Sequence, residues 1–177
     1  MRTTSGAPTP NSFRHLNADT VSIRPATIAD VAQMQSMEEQ AAGAAHWTVY
    51  QYESLFSPES PARLILVSTS EVDAARVTGF VVALCLADEW EIESVVVDLP
   101  ARRRGIGTSL VREVVDRACA AGAAGVILEV RESNRAARQL YEAIGFIQEY
   151  ERKDYYRGPY EHAIVYRLPL QRCDKIP

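Results

Sequence analysis

Cysteine is scarce in this chain and odd in number. Cys85, Cys119 and Cys173 are widely spaced, and the first two fall in apolar segments. That pattern favours reduced thiols and a reducing, cytoplasmic setting over a disulfide framework. Histidine is equally sparse. His15, His46 and His162 are scattered, with no metal-ligand spacing among them or with the cysteines. No apolar run approaches the length of a membrane span. An excess of positive charge is missing as well: the net charge is −4, so the chain as a whole offers no electrostatic footprint for nucleic acid. Residues 1–19 are rich in Ser, Thr, Pro and Asn and lack the apolar stretch of a secretory signal, so they read as a disordered leader. No internal repeat or domain linker interrupts the chain after residue 20. Residues 20–171, with a short tail at 172–177, suffice for one domain with a sizeable core.

What the chain does contain is concentrated between Glu91 and Phe146. Ile92 to Asp98 is apolar and β-branched enough for a strand. Ile106, Leu110, Val111, Val114, Val115, Ala118 and Cys119 repeat at helical steps, and Gly122 stands where a helix would be capped. Between strand and helix lies Arg102-Arg103-Arg104-Gly105-Ile106-Gly107-Thr108. At such a junction the unpaired N–H groups and the positive end of the helix dipole point outward. Glycine lets a bulky anion approach the backbone, and arginine adds forked, charge-assisted donors. The turn therefore reads as a pyrophosphate site, with a plain surface turn as the alternative. A Walker loop is excluded, because Gly107 is followed by Thr108 and Ser109 without the lysine. A dinucleotide fingerprint needs a small residue where Leu110 stands.

Arg102, Gly105 and Gly107 meet the pattern Arg/Gln-x-x-Gly-x-Gly/Ala, which resembles motif A of the GCN5-related N-acetyltransferases (GNAT). The likeness continues through Val126 to Arg131, Ser133-Asn134, and Leu140 to Phe146. It is greatest to the RimI-like ribosomal-protein-alanine N-acetyltransferases, whose spacing is also met by Tyr155-Tyr156, Ala163 to Val165, and Leu168-Pro169. The resemblance covers roughly residues 88 to 170 and thins upstream. It implies acetyl-coenzyme A as co-substrate, no metal, and a primary amine as acceptor. The pantetheine arm would lie along Val95, Val96 and Val97. The pyrophosphate would sit on Arg102, Arg103, Arg104, Gly105, Ile106, Gly107 and Thr108, and Asn134 would contact the coenzyme. In the family, the position of Glu129 is the base and that of Tyr141 the acid.

The remaining residues place these motifs. Val21 to Arg24 reads as a first strand, and Thr27 or Asp30 can cap a helix to about Ala42 with Ile28, Val31, Met34 and Met37 inward. His46 to Phe56 is aromatic-rich, with Thr48 as a possible cap. Ser57 to Pro61 is a loop. Arg63 to Ser68, Arg76 to Leu86 and Trp90 to Asp98 read as strands joined by turn-length links, hence an antiparallel meander. The helix after the fourth strand makes its pair with the fifth parallel. Two last strands, Ile147 to Arg152 and Glu161 to Leu168, bracket an expected tyrosine-dense loop at Lys153 to Tyr160. The expected fold is α/β (α+β): a mixed, mostly antiparallel sheet flanked by helices.

Two side chains stand out chemically. Glu129 lies in a strand of Val, Ile and Leu, opposite the face of Leu128 and Val130. A carboxylate there needs a hydrogen bond or a function. The bland alternative is a pair with Arg131 or Arg103. Tyr141 shares one helical face with Ala137, Leu140 and Ile144, so its phenol turns inward and seeks a partner. A glutamate of ordinary pKa about 4.3 is a poor base toward a lysine ammonium near 10.4 and less poor toward an α-ammonium near 8, a difference of roughly 3 kcal/mol. An N-terminal acceptor, with a ribosomal protein S18 type as the family's example, is thus favoured over lysine. A small amine such as an amino acid, polyamine or antibiotic remains open, as does a non-catalytic acyl-coenzyme A sensor. Cys85 and Cys119 have no neighbouring histidine, so nothing suggests an acyl-cysteine.

Overall fold

The structure, a computed structural model, describes residues 21–41, 47–57, 59–70, 72–157 and 159–170. The expected leader, the tail and His46 lie outside them. Seven strands form one sheet: β1 (Ser22–Pro25), β2 (Arg63–Thr69), β3 (Val77–Cys85), β4 (Glu89–Val97), β5 (Gly125–Arg131), β6 (Ile147–Arg157) and β7 (Tyr160–Pro169). Their order is β1-β2-β3-β4-β5-β7-β6. Every neighbouring pair is antiparallel except β4 and β5. That pair is parallel because the chain crosses over through α3 (Ile106–Ala121) before re-entering the sheet. The other helices are α1 (Val31–Glu39), α2 (Val49–Ser54) and α4 (Arg135–Ile144). No helix among the described residues is long and apolar enough to cross a membrane.

Two cores cover the two faces of the sheet. On the first, α3 contributes Ile106, Leu110, Val111, Val114 and Ala118 against Val81, Ile92, Val126 and Leu128, and α4 adds Tyr141. Burying a side chain the size of Leu or Val contributes about 1.5–3 kcal/mol, so this face anchors α3. On the second face Met34 and Met37 of α1 and Tyr52 of α2 pack on Val67, Phe80, Val82 and Val96. That second core draws on β2, β3 and β4 and on no residue of β5, β6 or β7. Helix ends follow local chemistry. Thr48 caps α2 by accepting the Gln51 N–H at 3.3 Å while its own N–H donates to Gln51 Oε1 at 2.8 Å. Gly122 ends α3 in the left-handed region, φ 82°.

A bulge in β4 decides which of its side chains face each core. Val82 pairs with Ser94 and its neighbour Ala83 with Ile92, which leaves Glu93 as an extra residue. The extra residue changes the phase of the strand. Ile92, Val95 and Val97 belong to the α3 face and Val96 to the α1 face.

Three expectations need correction. Ile28 is 60 % exposed rather than inward, because it lies in a 3₁₀ turn (Ile28–Asp30) and the helical phase begins only at Val31. Lys153 to Tyr160 is not a broad loop. β6 runs to Arg157 and β7 starts at Tyr160, and the register slips between Arg152 and Tyr156. Asp154 absorbs that slip with φ 50° and donates its N–H to His162 Nδ1 at 3.0 Å. Finally, Cys85 is a free thiol but Cys119 is disulfide-bonded, so three reduced thiols are not what is found.

Candidate active site

The site begins where β4 and β5 part. Their parallel register covers only Glu89 to Ile92 against Gly125 to Leu128. Beyond it β4 continues to Val97 beside β3, and β5 continues to Arg131 beside β7. The facing edges of Val95–Val97 and Glu129–Arg131 therefore have no ladder between them. A parallel sheet opened in this way leaves backbone groups of β4 available to a ligand.

The turn after β4 closes one end of that gap. Leu99–Ala101 makes one 3₁₀ turn, and the guanidinium Nε of Arg102 donates back to the Val97 carbonyl at 3.0 Å. Arg103 then adopts φ 64° and Gly105 φ 80°. A left-handed arginine costs about 1–2 kcal/mol, so the rest of the fold must impose this conformation. Ser109 donates the first intrahelical bond of α3, to Gly105 O at 2.9 Å. The N–H groups of Ile106, Gly107 and Thr108 precede it and point out of the helix end. Backbone donors, a helix dipole and arginines thus converge at one point.

These groups line a cavity of about 480 Å³. Its walls contain Val95, Val96 and Val97 of β4; Arg102, Arg103 and Gly105 of the turn; and Ile106, Gly107 and Thr108 of α3. Asn134 and Tyr141 of the sequence-derived set line it too, and Ala41 and Gln139 join them without having been named from sequence. Arg104 and Glu129 do not line it. Asn134 also caps α4, accepting the Ala137 N–H on Oδ1 at 3.2 Å. The cap and the cavity wall are compatible, because its amide N–H groups remain donors. Gly107 is tightly framed: a Cβ there would stand 2.9 Å from Leu140 Cδ1 and 3.6 Å from Val97 Cγ2.

Tyr141 is 7 % exposed and stacks edge-on against Phe146 at 5.8 Å between centroids. Burial, and then the neighbouring Tyr156, push its phenol well above the ordinary range, so it keeps its proton throughout neutral pH.

Glu129 lies on the opposite face from α3, since Leu128 and Val130 are core there. Its partner is neither Arg131 nor Arg103 but Arg152 of β6, and Arg152 in turn lies over the Tyr155 ring at 4.6 Å. The Tyr155 phenol is raised first by its hydrogen bond to Glu129. Arg131 is used elsewhere, beside Glu161 at 3.4 Å and over the Tyr156 ring at 4.0 Å. Two more carboxylates share the face of Glu129. The bulge residue Glu93 takes a bidentate pair from Arg63, at 2.7 and 3.0 Å, and Glu91 stands one residue before Ile92.

A mixed α/β sheet whose one parallel pair parts beside an arginine-flanked, left-handed turn at a helix start defines the class of fold. Comparison with known proteins gives that class a name. Residues 29–146 match the acetyltransferase (GNAT) family, and the chain belongs to it. One relative is the [ribosomal protein bS18]-alanine N-acetyltransferase of Salmonella typhimurium, 35 % identical over 97 residues; the match spans 54 % of this chain and 66 % of that protein. The crystal structure of the ribosomal-protein-S18-alanine N-acetyltransferase from Escherichia coli superposes with a TM-score of 0.75 at 25 % identity, covering 89 % of this chain and 99 % of that one. Arabidopsis thaliana NAA60 in complex with acetyl-CoA shares the fold, with a TM-score of 0.75 at 18 % identity over 85 % of this chain and 100 % of that one.

Proposed function

We propose that the protein transfers the acetyl group of acetyl-coenzyme A to a primary amine, and that its acceptor is the N-terminal α-amine of a protein, of the ribosomal protein S18 type. The observation that carries this is the single cavity wall joining the turn at Arg103–Thr108, the open edge of Val95–Val97 and the phenol of Tyr141. The pyrophosphate takes the N–H groups of Ile106, Gly107 and Thr108 and the side chains of Arg102 and Arg103. The pantetheine amides pair with the unladdered edge of β4, and Asn134 adds side-chain donors.

The thioester then lies in the gap between β4 and β5, reachable from the Glu129 face. The amine must first lose a proton to a carboxylate on that face, for which Glu129 is the sequence-derived candidate. Its lone pair attacks the thioester carbon, the C–N bond forms, the C–S bond breaks, and the electron pair leaves on sulfur. A thiol near pKa 8.5 leaves as thiolate, and a phenol of ordinary pKa about 10 is at least about 2 kcal/mol too weak to protonate it fully. Burial raises Tyr141 further, so its role is to donate a hydrogen bond to the sulfur as charge develops there.

The test is thiol release on mixing acetyl-coenzyme A with N-terminal peptides, lysine peptides and small amines. Release is expected chiefly with free α-amines, S18-type peptides among them. Preference for a small amine would move the acceptor class. Donor binding without release toward any amine would make this a binding module instead.

A further inference from the structure

Helix α4 brings Tyr141 to the cavity wall, yet Tyr141 is the one fully buried residue of that helix. Ala137, Leu140 and Ile144 are only partly buried against the core. A helix seated on so narrow a face can roll about its axis unless something else holds it. Tyr166 of β7 supplies the hold. It pairs with Leu128 in the β5–β7 ladder, faces the α3 side of the sheet and is 1 % exposed. Its hydroxyl donates to Glu142 Oε1 at 2.6 Å and accepts from Arg138 Nε at 3.2 Å. Arg138 also donates from Nη1 to the Glu132 carbonyl at 3.2 Å, ahead of the helix. The Tyr166 ring lies 6.4 Å from that of Tyr141 between centroids.

Resting on the proposed acetyl transfer, we infer that Tyr166 is a positioning residue: its hydroxyl fixes the rotation of α4 and so aims the Tyr141 phenol at the thioester sulfur. Arg138 and Glu142 stand four residues apart, one above the other on the same side of α4, and both are tied to a single oxygen. One tie would leave the helix a hinge, whereas two ties at different heights hold both its roll and its tilt. That oxygen does not move with the helix, because β7 lies between β5 and β6 in the sheet. Tyr141 immediately precedes Glu142 and turns with it. A phenol oxygen reaches roughly 8 Å from the helix axis, so a roll of about 10° displaces it by about 1.4 Å. A misplacement of about 1 Å can cost about 10²-fold in rate. The hold persists across neutral pH: burial, then the bond to Glu142, raise the Tyr166 phenol against the opposing pull of Arg138, so it keeps the proton it donates.

The experiment is a double-mutant cycle on kcat with one α-amine peptide: wild type, Tyr166→Phe, Tyr141→Phe and the double variant. Folding and donor binding are checked by the shift in Tm that acetyl-coenzyme A induces, which all four proteins should keep. Tyr166→Phe should lower kcat by about 10-fold with the donor Kd unchanged. In the Tyr141→Phe background the same change should cost less than about 2-fold, because no hydroxyl is left to aim. A tyrosine that only props the fold would cost the same factor in both backgrounds. Glu142→Ala removes one tie at an exposed position, outside the core. It should reproduce the loss, and Glu142→Gln, which keeps an acceptor for the hydroxyl, should recover most of it. Equal losses in the two backgrounds, or wild-type kcat in Tyr166→Phe and Glu142→Ala, overturn the inference and leave acetyl transfer standing. Wild-type kcat in Tyr141→Phe does the same. A wild-type protein that releases no thiol with any amine overturns both.

Discussion

Replacing Gly107 by valine tests the proposed donor cavity at a wall residue with little room for a side chain. A Cβ at this position meets Leu140 Cδ1 at 2.9 Å and Val97 Cγ2 at 3.6 Å. The closer atom is the tip of a flexible side chain, so the variant folds, at an overpacking cost of about 1–3 kcal/mol. For a domain of this size 1 kcal/mol is about 2–4 °C in Tm, giving a loss of roughly 2–12 °C without ligand. Acetyl-coenzyme A at 100 times its Kd stabilises the wild type by about 2.7 kcal/mol, or roughly 5–11 °C. In Gly107→Val the valine methyls, with Leu140 displaced, stand in the pyrophosphate's path, and the ligand-induced shift should vanish. Gly105→Ala is the control. Nothing lies within 4 Å of its added Cβ, but its φ of 80° makes any side chain there strained, at about 1–2 kcal/mol. It should lower Tm and retain a measurable shift. Thermal scans with and without acetyl-coenzyme A decide the matter. An undiminished shift in a folded Gly107→Val protein would place the donor elsewhere.

Tyr141→Phe keeps the ring against Phe146 and removes only the hydroxyl; kcat should fall by about 10²-fold with donor Kd unchanged, and wild-type turnover would leave Tyr141 a packing residue. Asp30→Asn addresses stability away from the site. Asp30 accepts both nitrogens of Arg24 at 2.8 Å and the Thr27 N–H at 2.8 Å, and these bonds lower its pKa from 3.8 to about 2. A depressed folded pKa means stability that is present above the unfolded value and lost as pH falls through about 2. Urea unfolding should therefore find the variant about 2 kcal/mol weaker at pH 7 and the difference shrinking below pH 4; equal stability at pH 7 would show that the pair is energetically idle.

The glycine turn and the helix after it were readable because their signals are local. Gly122, Asn134 and Gly145 cap helices by their own backbone or side-chain chemistry, and the steps from Ile106 to Ala118 describe the buried face of α3 without reference to the rest of the fold. The surroundings of Glu129 were not readable to the same degree. Arg152 reaches Glu129 from 23 residues away, across a β6–β7 register that slips twice. No period-2 pattern in the sequence reports those slips. The tyrosines of 153–160 suggested a loop, yet the strand is carried through by a left-handed Asp154 whose N–H is accepted by His162. Ile28 misled for a related reason: its apolar side chain matched the helical pattern, but a 3₁₀ turn sets a different phase.

The extra residue in β4 also bears on how this strand can change over time. Val82 and Ala83 are consecutive on β3 and pair with Ser94 and Ile92, so Glu93 is supernumerary to the ladder. A one-codon deletion at Glu93 would leave both halves of β4 in register with β3. It would subtract one negative charge and strand Arg63 without its carboxylate. The same deletion at Val96 would turn Val97 from the α3 face to the other and remove a cavity wall. A change of length at Glu93 thus alters the charge on the Glu129 face and leaves the ladder intact, whereas the same change three residues on alters the wall of the cavity.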